Sequence, residues 1–145
     1  MIGYYKDEKA TKEVMQNGYF NTGDFGYLDK DNFLFITGRK KNLIILSNGE
    51  NISPEAIEEK LSKDKGVCEV IVYEKNNKLI ASIYPNEEYF GNISYFNGLI
   101  YKYNSKVPKN HQIALVTLRN EEFPKNNNRK ILRNKVMEEE KWKKK

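Results

Sequence analysis

Two apolar runs, Val67 to Tyr73 and Leu79 to Tyr84, are separated only by the polar stretch Glu74 to Lys78. Short apolar runs bounded by turn-forming residues read as the arms of a β-hairpin. Helical patterns surround it. Ser53-Pro54-Glu55 reads as a helix start: serine can accept from an orphan amide, proline suits the first helical position, and glutamate favours the positive helix end. Ile57 and Leu61 then supply a buried stripe at i, i+4 spacing. A second amphipathic helix is predicted from Ser94 to Asn104, with Phe96, Leu99, Ile100 and Tyr103 on one side. Gln112 to Leu118 is a strand, and a last helix starts near Lys130 with Leu132 and Val136 facing inward. Leu43 to Leu46 is a short strand candidate. Upstream, Tyr27-Leu28 and Phe33 to Ile36 flank the turn-like Asp29 to Asn32, which suggests another hairpin. Asp7 to Met15 has helix-forming composition but too few apolar positions for an independent helix. This order predicts an α+β fold, helices against a small sheet.

At 145 residues the chain has room for one domain, or a small domain with an appendage. Apolar residues make up 39%, enough for a core to which aromatics should contribute heavily. No apolar run approaches the roughly 20 residues of a membrane span, and no signal-peptide pattern opens the chain. A cytoplasmic location is the expectation. Cys68, inside an apolar run, reads as a packed core cysteine without a disulfide partner. His111, in a polar turn, reads as a surface or structural residue, and Trp142 as a packing residue. With one Cys and one His no zinc site is expected, and no metal ligands are assigned. The net charge is +5, but Lys125 to Lys145 alone holds nine Lys or Arg and three Glu, a balance of +6, which leaves −1 elsewhere. Such a basic end could attract phosphate, nucleic acid or an anionic membrane. For Lys141 to Lys145 a solvated tail is the simpler reading.

Three stretches stand out chemically. Gly18 to Asp24 places glycines around Thr22 and Asp24, so that the backbone can turn sharply and aim a carboxylate. A carboxylate only accepts hydrogen bonds, so one aspartate can hold both hydroxyls of a ribose; a turn with a capping aspartate is the plainer alternative. Gly38-Arg39-Lys40-Lys41-Asn42 could be a nucleic-acid or localisation patch, or one anion-binding arginine beside a linker. The pattern changes just after it, which makes Arg39 to Asn42 a candidate boundary. Phe123 to Arg133 contains Asn126-Asn127-Asn128, a loop tolerant of left-handed conformations. Its lysines could reach a phosphate, or the stretch is a surface loop before a helix.

In this order and spacing, the stretches resemble the adenylate-forming (ANL) superfamily of acyl- and aryl-CoA synthetases, luciferases and peptide-synthetase adenylation domains. The resemblance runs from Gly3-Tyr4-Tyr5 to about Val136, and Gly38 to Pro54 looks especially like the bacterial acyl-CoA synthetases. It implies that residues 1–41 are the tail end of the large AMP-binding domain including the hinge, and that residues 42–145 are the small C-terminal lid domain. The implied fold is α+β, a short mainly antiparallel sheet with packed helices, preceded by a β-hairpin remnant of the large domain. By the same resemblance Asp24 would hold the ribose hydroxyls of ATP or the acyl-adenylate. Arg39 would lie near that ribose and phosphate, and Lys41 at the hinge. Gly49 would lie on the loop lining the pantetheine tunnel, and Lys130 would be the lid lysine that meets the α-phosphate during adenylation. Two positions differ from the family's lid motif: Asn126 replaces a threonine, and Arg129 the glycine before the catalytic lysine. Lys125 precedes the loop and is the less suitable substitute.

The family's phosphate loop, adenine-stacking motif and metal-binding glutamate belong to the large domain and match nothing here. The expectation is therefore a fragment of an ATP-dependent acyl-CoA synthetase of the fatty-acid-metabolism type, inactive alone. ATP or AMP, CoA and Mg would serve the complete enzyme, none binding tightly to this chain by itself. Its partners would be the large N-terminal domain, in cis or as a separate chain, a carboxylate substrate, and CoA or a carrier-protein thiol. Nucleic acid and a membrane span are not expected. A stand-alone binding or regulatory module, and a non-functional remnant of a disrupted gene, are the alternatives.

Overall fold

The computed structural model describes residues 1–142, with side chains of the last helix as far as Glu139. The expected packing of Trp142 and the tail's last residues therefore lie outside what is described. The chain divides into two compact units, Met1–Leu43 and a second beginning at Ile44.

The first unit opens with α1 (Glu8–Val14), capped by Asp7, whose Oδ1 accepts from the Ala10 amide at 2.9 Å. No residue of α1 is buried. A minimal ladder of β1 (Met15–Gln16) with β2 (Tyr19–Phe20) follows. The expected hairpin is β3 (Asp24–Leu28) against β4 (Leu34–Arg39), antiparallel, with Leu28 opposite Leu34 and Asp24 opposite Arg39. Asp29 shapes its turn by accepting from the amides of Asp31 and Phe33, both at 2.9 Å. The hairpin buries little: Tyr27, Leu28, Phe33, Leu34 and Ile36 are each more than half exposed. A 3-10 turn, Lys40–Asn42, closes the unit.

In the second unit, β5 (Ile44–Ile45) pairs with β6 (Asn51–Ile52), and α2 (Pro54–Leu61) follows. Proline occupies the first turn as expected, but the Ser53 side chain makes no capping bond. Its hydroxyl turns instead to the Glu55 carboxylate at 3.1 Å. The central hairpin is β7 (Val67–Lys75) with β8 (Lys78–Pro85), turned through Asn76 and Asn77 at φ 54° and 58°. Two consecutive left-handed residues match the twist of a two-residue hairpin loop, and asparagine tolerates them. After α3 (Ile93–Asn104), β9 (Ile113–Leu118) joins β8 in parallel. The fold is the α+β arrangement expected, and its three-stranded sheet adds a parallel β9 to the antiparallel β7–β8 pair, because α3 carries the chain back across the sheet before β9 enters it.

Both faces of this sheet are covered. Val70, Val72, Leu79, Ala81 and Ile83 pack in one cluster with Ile57 and Leu61 of α2 and Phe96 and Ile100 of α3. The alternating Ile71, Tyr73 and Ile80 pack in a second cluster with Phe123 and with Val136 of α4 (Arg133–Trp142). Double coverage explains why the arms read as continuous apolar runs rather than alternating ones. The core is mostly aliphatic, against the expectation from composition: many aromatics, including Tyr5, Tyr19, Phe33 and Tyr101, are exposed. Cys68 is also exposed, which corrects its reading as a core cysteine. A bulge between Val67 and Glu69 leaves Cys68 without a partner on β8 and turns it out of the alternation. The last helix begins at Arg133 rather than near Lys130. The preceding residues are committed elsewhere: Lys125 bridges to Ile131, and the Lys130 amide donates to the Asn126 side chain at 2.9 Å.

Candidate functional site

Asp24 and Arg39 occupy opposite positions at the open end of the β3–β4 hairpin. Gly23, at φ 72°, turns the chain into β3, and its carbonyl accepts from the Lys40 amide at 2.8 Å. Asn21 and Thr22 brace the turn by accepting from the amides of Gly23 and Asp24 at 3.0 and 3.1 Å. Arg39 Nε lies 3.1 Å from Asp24 Oδ1. This ion pair leaves the second carboxylate oxygen without a partner among the described residues, so it can accept from a ligand hydroxyl. Arg39 is well exposed, with its remaining guanidinium nitrogens available to an anion. Lys41 sits in the exposed 3-10 turn at the end of this unit.

In the second unit, Gly49 forms the tip of the β5–β6 hairpin at φ 81°, and an added Cβ would meet nothing within 4 Å. Lys130 stands on a separate loop between Phe123 and α4. Asn126 knots that loop: its Oδ1 accepts from the amides of Asn128 and Lys130 at 3.0 and 2.9 Å, and its amide donates to the Lys130 carbonyl at 2.9 Å. The left-handed position falls on Arg129, at φ 59°, and not on any of the three asparagines. That is the place where the resembling family has glycine, so the loop keeps a turn that costs a glycine nothing and an arginine about 1 kcal/mol.

The two candidate lysines differ sharply. Lys125 lies 2.5 Å from Glu69 and 2.6 Å from Glu122. Hydrogen bonds to Glu122 and then Glu69 hold its ammonium well above the ordinary lysine range, and the same contact pulls Glu122 below the ordinary carboxylate range. Lys130 is exposed, and its ammonium forms no ion pair among the described residues. Lys125 therefore anchors the base of the loop, while the Lys130 ammonium carries no such restraint among the described residues.

Sequence reasoning missed two carboxylate clusters. Glu58 of α2 pairs with Arg133 at the start of α4 and accepts from the Val72 amide at 2.6 Å, tying both helices to β7. Burial pushes the Glu58 carboxyl up, with the Arg133 charge acting against it. Glu50, beside Gly49, accepts from Asn110 and from His111 Nε2 at 2.8 Å. His111 thus has the structural role expected of it, although its partner, sixty-one residues away in sequence, leaves no local signal. Among the described residues no three His, Cys, Asp or Glu side chains converge as a metal site.

No protein-family profile matched the chain. The 2-succinylbenzoate–CoA ligase of Listeria monocytogenes is 41% identical over 143 residues, covering 94% of this chain and 29% of that protein. The long-chain-fatty-acid–CoA ligase FadD15 of Mycobacterium tuberculosis is 41% identical over 70 residues, 48% of this chain and 12% of that protein. Among solved structures, the o-succinylbenzoate CoA synthetase of Bacillus subtilis, in complex with its acyl-adenylate intermediate, superposes with a TM-score of 0.77. It is 29% identical, over 92% of this chain and 27% of that one. An anthranilate CoA ligase in complex with anthranoyl-AMP shares the fold, with a TM-score of 0.83 at 20% identity, over 97% of this chain and 27% of that one. The chain therefore spans less than a third of the length of these relatives. By sequence and by fold, it belongs to the adenylate-forming acyl-CoA ligases of the ANL superfamily and corresponds to the C-terminal portion of its members.

Proposed function

We propose that the chain is the lid portion of an ATP-dependent acyl-CoA synthetase, with residues 1–41 completing the large adenylation domain and residues 42–145 forming the mobile lid. The observation that carries this reading is the exposed Lys130, without an ion pair among the described residues, on a loop knotted by Asn126, beside a Lys125 locked between two carboxylates. The exposed apolar hairpin of the first unit supports a missing neighbour, since so large an apolar surface needs cover. The large domain would supply that cover, whether in the same chain or as a separate one.

In this reading Asp24 accepts from the ribose hydroxyls, steadied by Arg39. A substrate carboxylate oxygen attacks the α-phosphorus of ATP; the new P–O bond forms as the bond to the pyrophosphate oxygen breaks. Lys130 sets a positive charge against the oxygens where negative charge develops. The lid then turns about Lys41, Lys130 withdraws, and the Gly49 loop lines the path of a thiol. The thiol sulfur attacks the acyl carbon, AMP leaves, and the thiol proton passes to solvent. CoA or a carrier-protein thiol fits this step equally, and Mg, when bound, would offset phosphate charge from the large domain's side. One active site thus runs two half-reactions through one hinge.

The test is pyrophosphate release with ATP and a panel of fatty and aryl acids, for the chain alone and mixed with the large domain of a relative such as the Listeria ligase. The chain alone should stay at the level of a heat-killed control, and the mixture should exceed the large domain alone. Turnover by the chain alone would contradict the lid reading. No gain on mixing would favour a stand-alone binding module or a remnant.

A further inference from the structure

The hairpin that carries Gly49 is short, two paired positions in each strand, Ile44 with Ile52 and Ile45 with Asn51. A two-stranded hairpin of this size is marginal by itself. Here it is fastened on both flanks of its tip. On one side, the Ser47 amide donates to Asn77 Oδ1 at 3.0 Å, and Asn77 Nδ2 donates to Ser47 Oγ at 2.9 Å. Asn77 is set for this by its left-handed place in the β7–β8 turn. On the other side, Glu50 accepts from Asn110 and from His111 Nε2. A carboxylate only accepts, so Nε2 carries the proton. These donors stand on the 3-10 turn Lys109–His111, just before β9. That turn is itself fixed, because Asn104 of α3 exchanges two hydrogen bonds with the backbone of Ile113, each 2.9 Å. Both fastenings thus root in the central sheet. Between them the tip has no side-chain anchor of its own at Gly49.

We infer that Asn77 and His111 are positioning residues for the thioester half-reaction: together they hold the Gly49 backbone in register with the sheet, so that the lid's rotation delivers it as a rigid wall for the thiol. This rests on the reading of Gly49 given above. Displacement of a positioning element by about 1 Å is enough to cost a reaction step heavily. Adenylation does not need this clamp, because Lys130 stands on a different loop closed by Asn126.

The experiment uses the full chain with the large domain supplied, comparing His111→Ala, Asn77→Gly and His111→Gln. His111→Ala and Asn77→Gly should each lower thioester formation from preformed acyl-adenylate by about tenfold, the scale of one lost hydrogen bond to a charged or fixed group. The KM for the thiol should rise, while ATP-dependent pyrophosphate release stays at the wild-type rate. His111→Gln keeps an N–H donor at similar reach and should restore the thioester rate. In parallel, hydrogen exchange on the chain alone should show the Gly49 amide, which donates to the Leu46 carbonyl at 2.8 Å, exchanging faster in His111→Ala and protected again in His111→Gln. Equal loss of both half-reactions, or an unchanged thioester rate, would overturn the inference. If the wild-type mixture made no acyl-adenylate, the proposed function would fail separately. The exchange measurement would then decide the clamp: unchanged protection of Gly49 overturns it, and faster exchange supports it.

Discussion

Arg133 and Glu58 show how one part-buried charge pair can hold the helix that follows a loop. Their side chains are 22% and 13% exposed, and Arg133 begins the helix that follows the Lys130 loop. Removing the arginine strands a carboxylate that burial already disfavours. Arg133→Met should therefore lower unfolding stability at neutral pH by about 3 kcal/mol in urea titrations. Without Arg133 the folded pKa of Glu58 rises further above the unfolded value of 4.5. A carboxyl raised in this way penalises the fold above its folded pKa, and the penalty closes as pH falls through it. The deficit relative to wild type should accordingly shrink toward pH 4.5; a deficit independent of pH would contradict the pairing. Neither residue was visible in the sequence as a partner of the other, since they lie seventy-five positions apart. Asp24, Arg39, Gly49 and Lys130 stand out in the sequence because each sits in a local motif. Within the first unit, strand register brings Asp24 and Arg39 into contact.

At the level of elements, the sequence was most legible where a pattern is local. The Asp29 turn, the Asn76-Asn77 turn and the stripes of α2 and α3 follow from residues a few positions apart. It was least legible where long-range pairing decides. The parallel entry of β9 depends on α3's return path, and the exposure of Cys68 depends on a bulge defined only against β8. The late start of α4 depends on Asn126 taking the Lys130 amide. The first unit illustrates an element that forms without a core: its hairpin pairs from Asp24 to Leu28 across one bulge, yet every buried apolar side chain among the described residues lies at Ile44 or beyond. Limited proteolysis should therefore cut within Met1–Leu43 and leave a resistant core beginning near Ile44. Equal protection of both units would show that the hairpin is held by something other than a missing neighbour.

For the whole molecule, we propose a division of labour between a hairpin that would finish a nucleotide site and a lid that would present two different loops in turn. Its central claim is that Lys130 acts only while charge builds at the α-phosphate. The direct measurement is the pair of half-reactions with the large domain supplied, for Lys130→Ala, Lys125→Ala and Arg129→Gly. Lys130→Ala should slow adenylation by about a hundredfold, the loss of one well-placed electrostatic contact of roughly 3 kcal/mol. Thioester formation from preformed acyl-adenylate should be nearly unchanged. Arg129→Gly should keep or raise the adenylation rate, because glycine takes the left-handed turn without strain. If Lys130→Ala left adenylation intact while Lys125→Ala abolished it, the catalytic lysine would be Lys125 and the account of the lid would be contradicted.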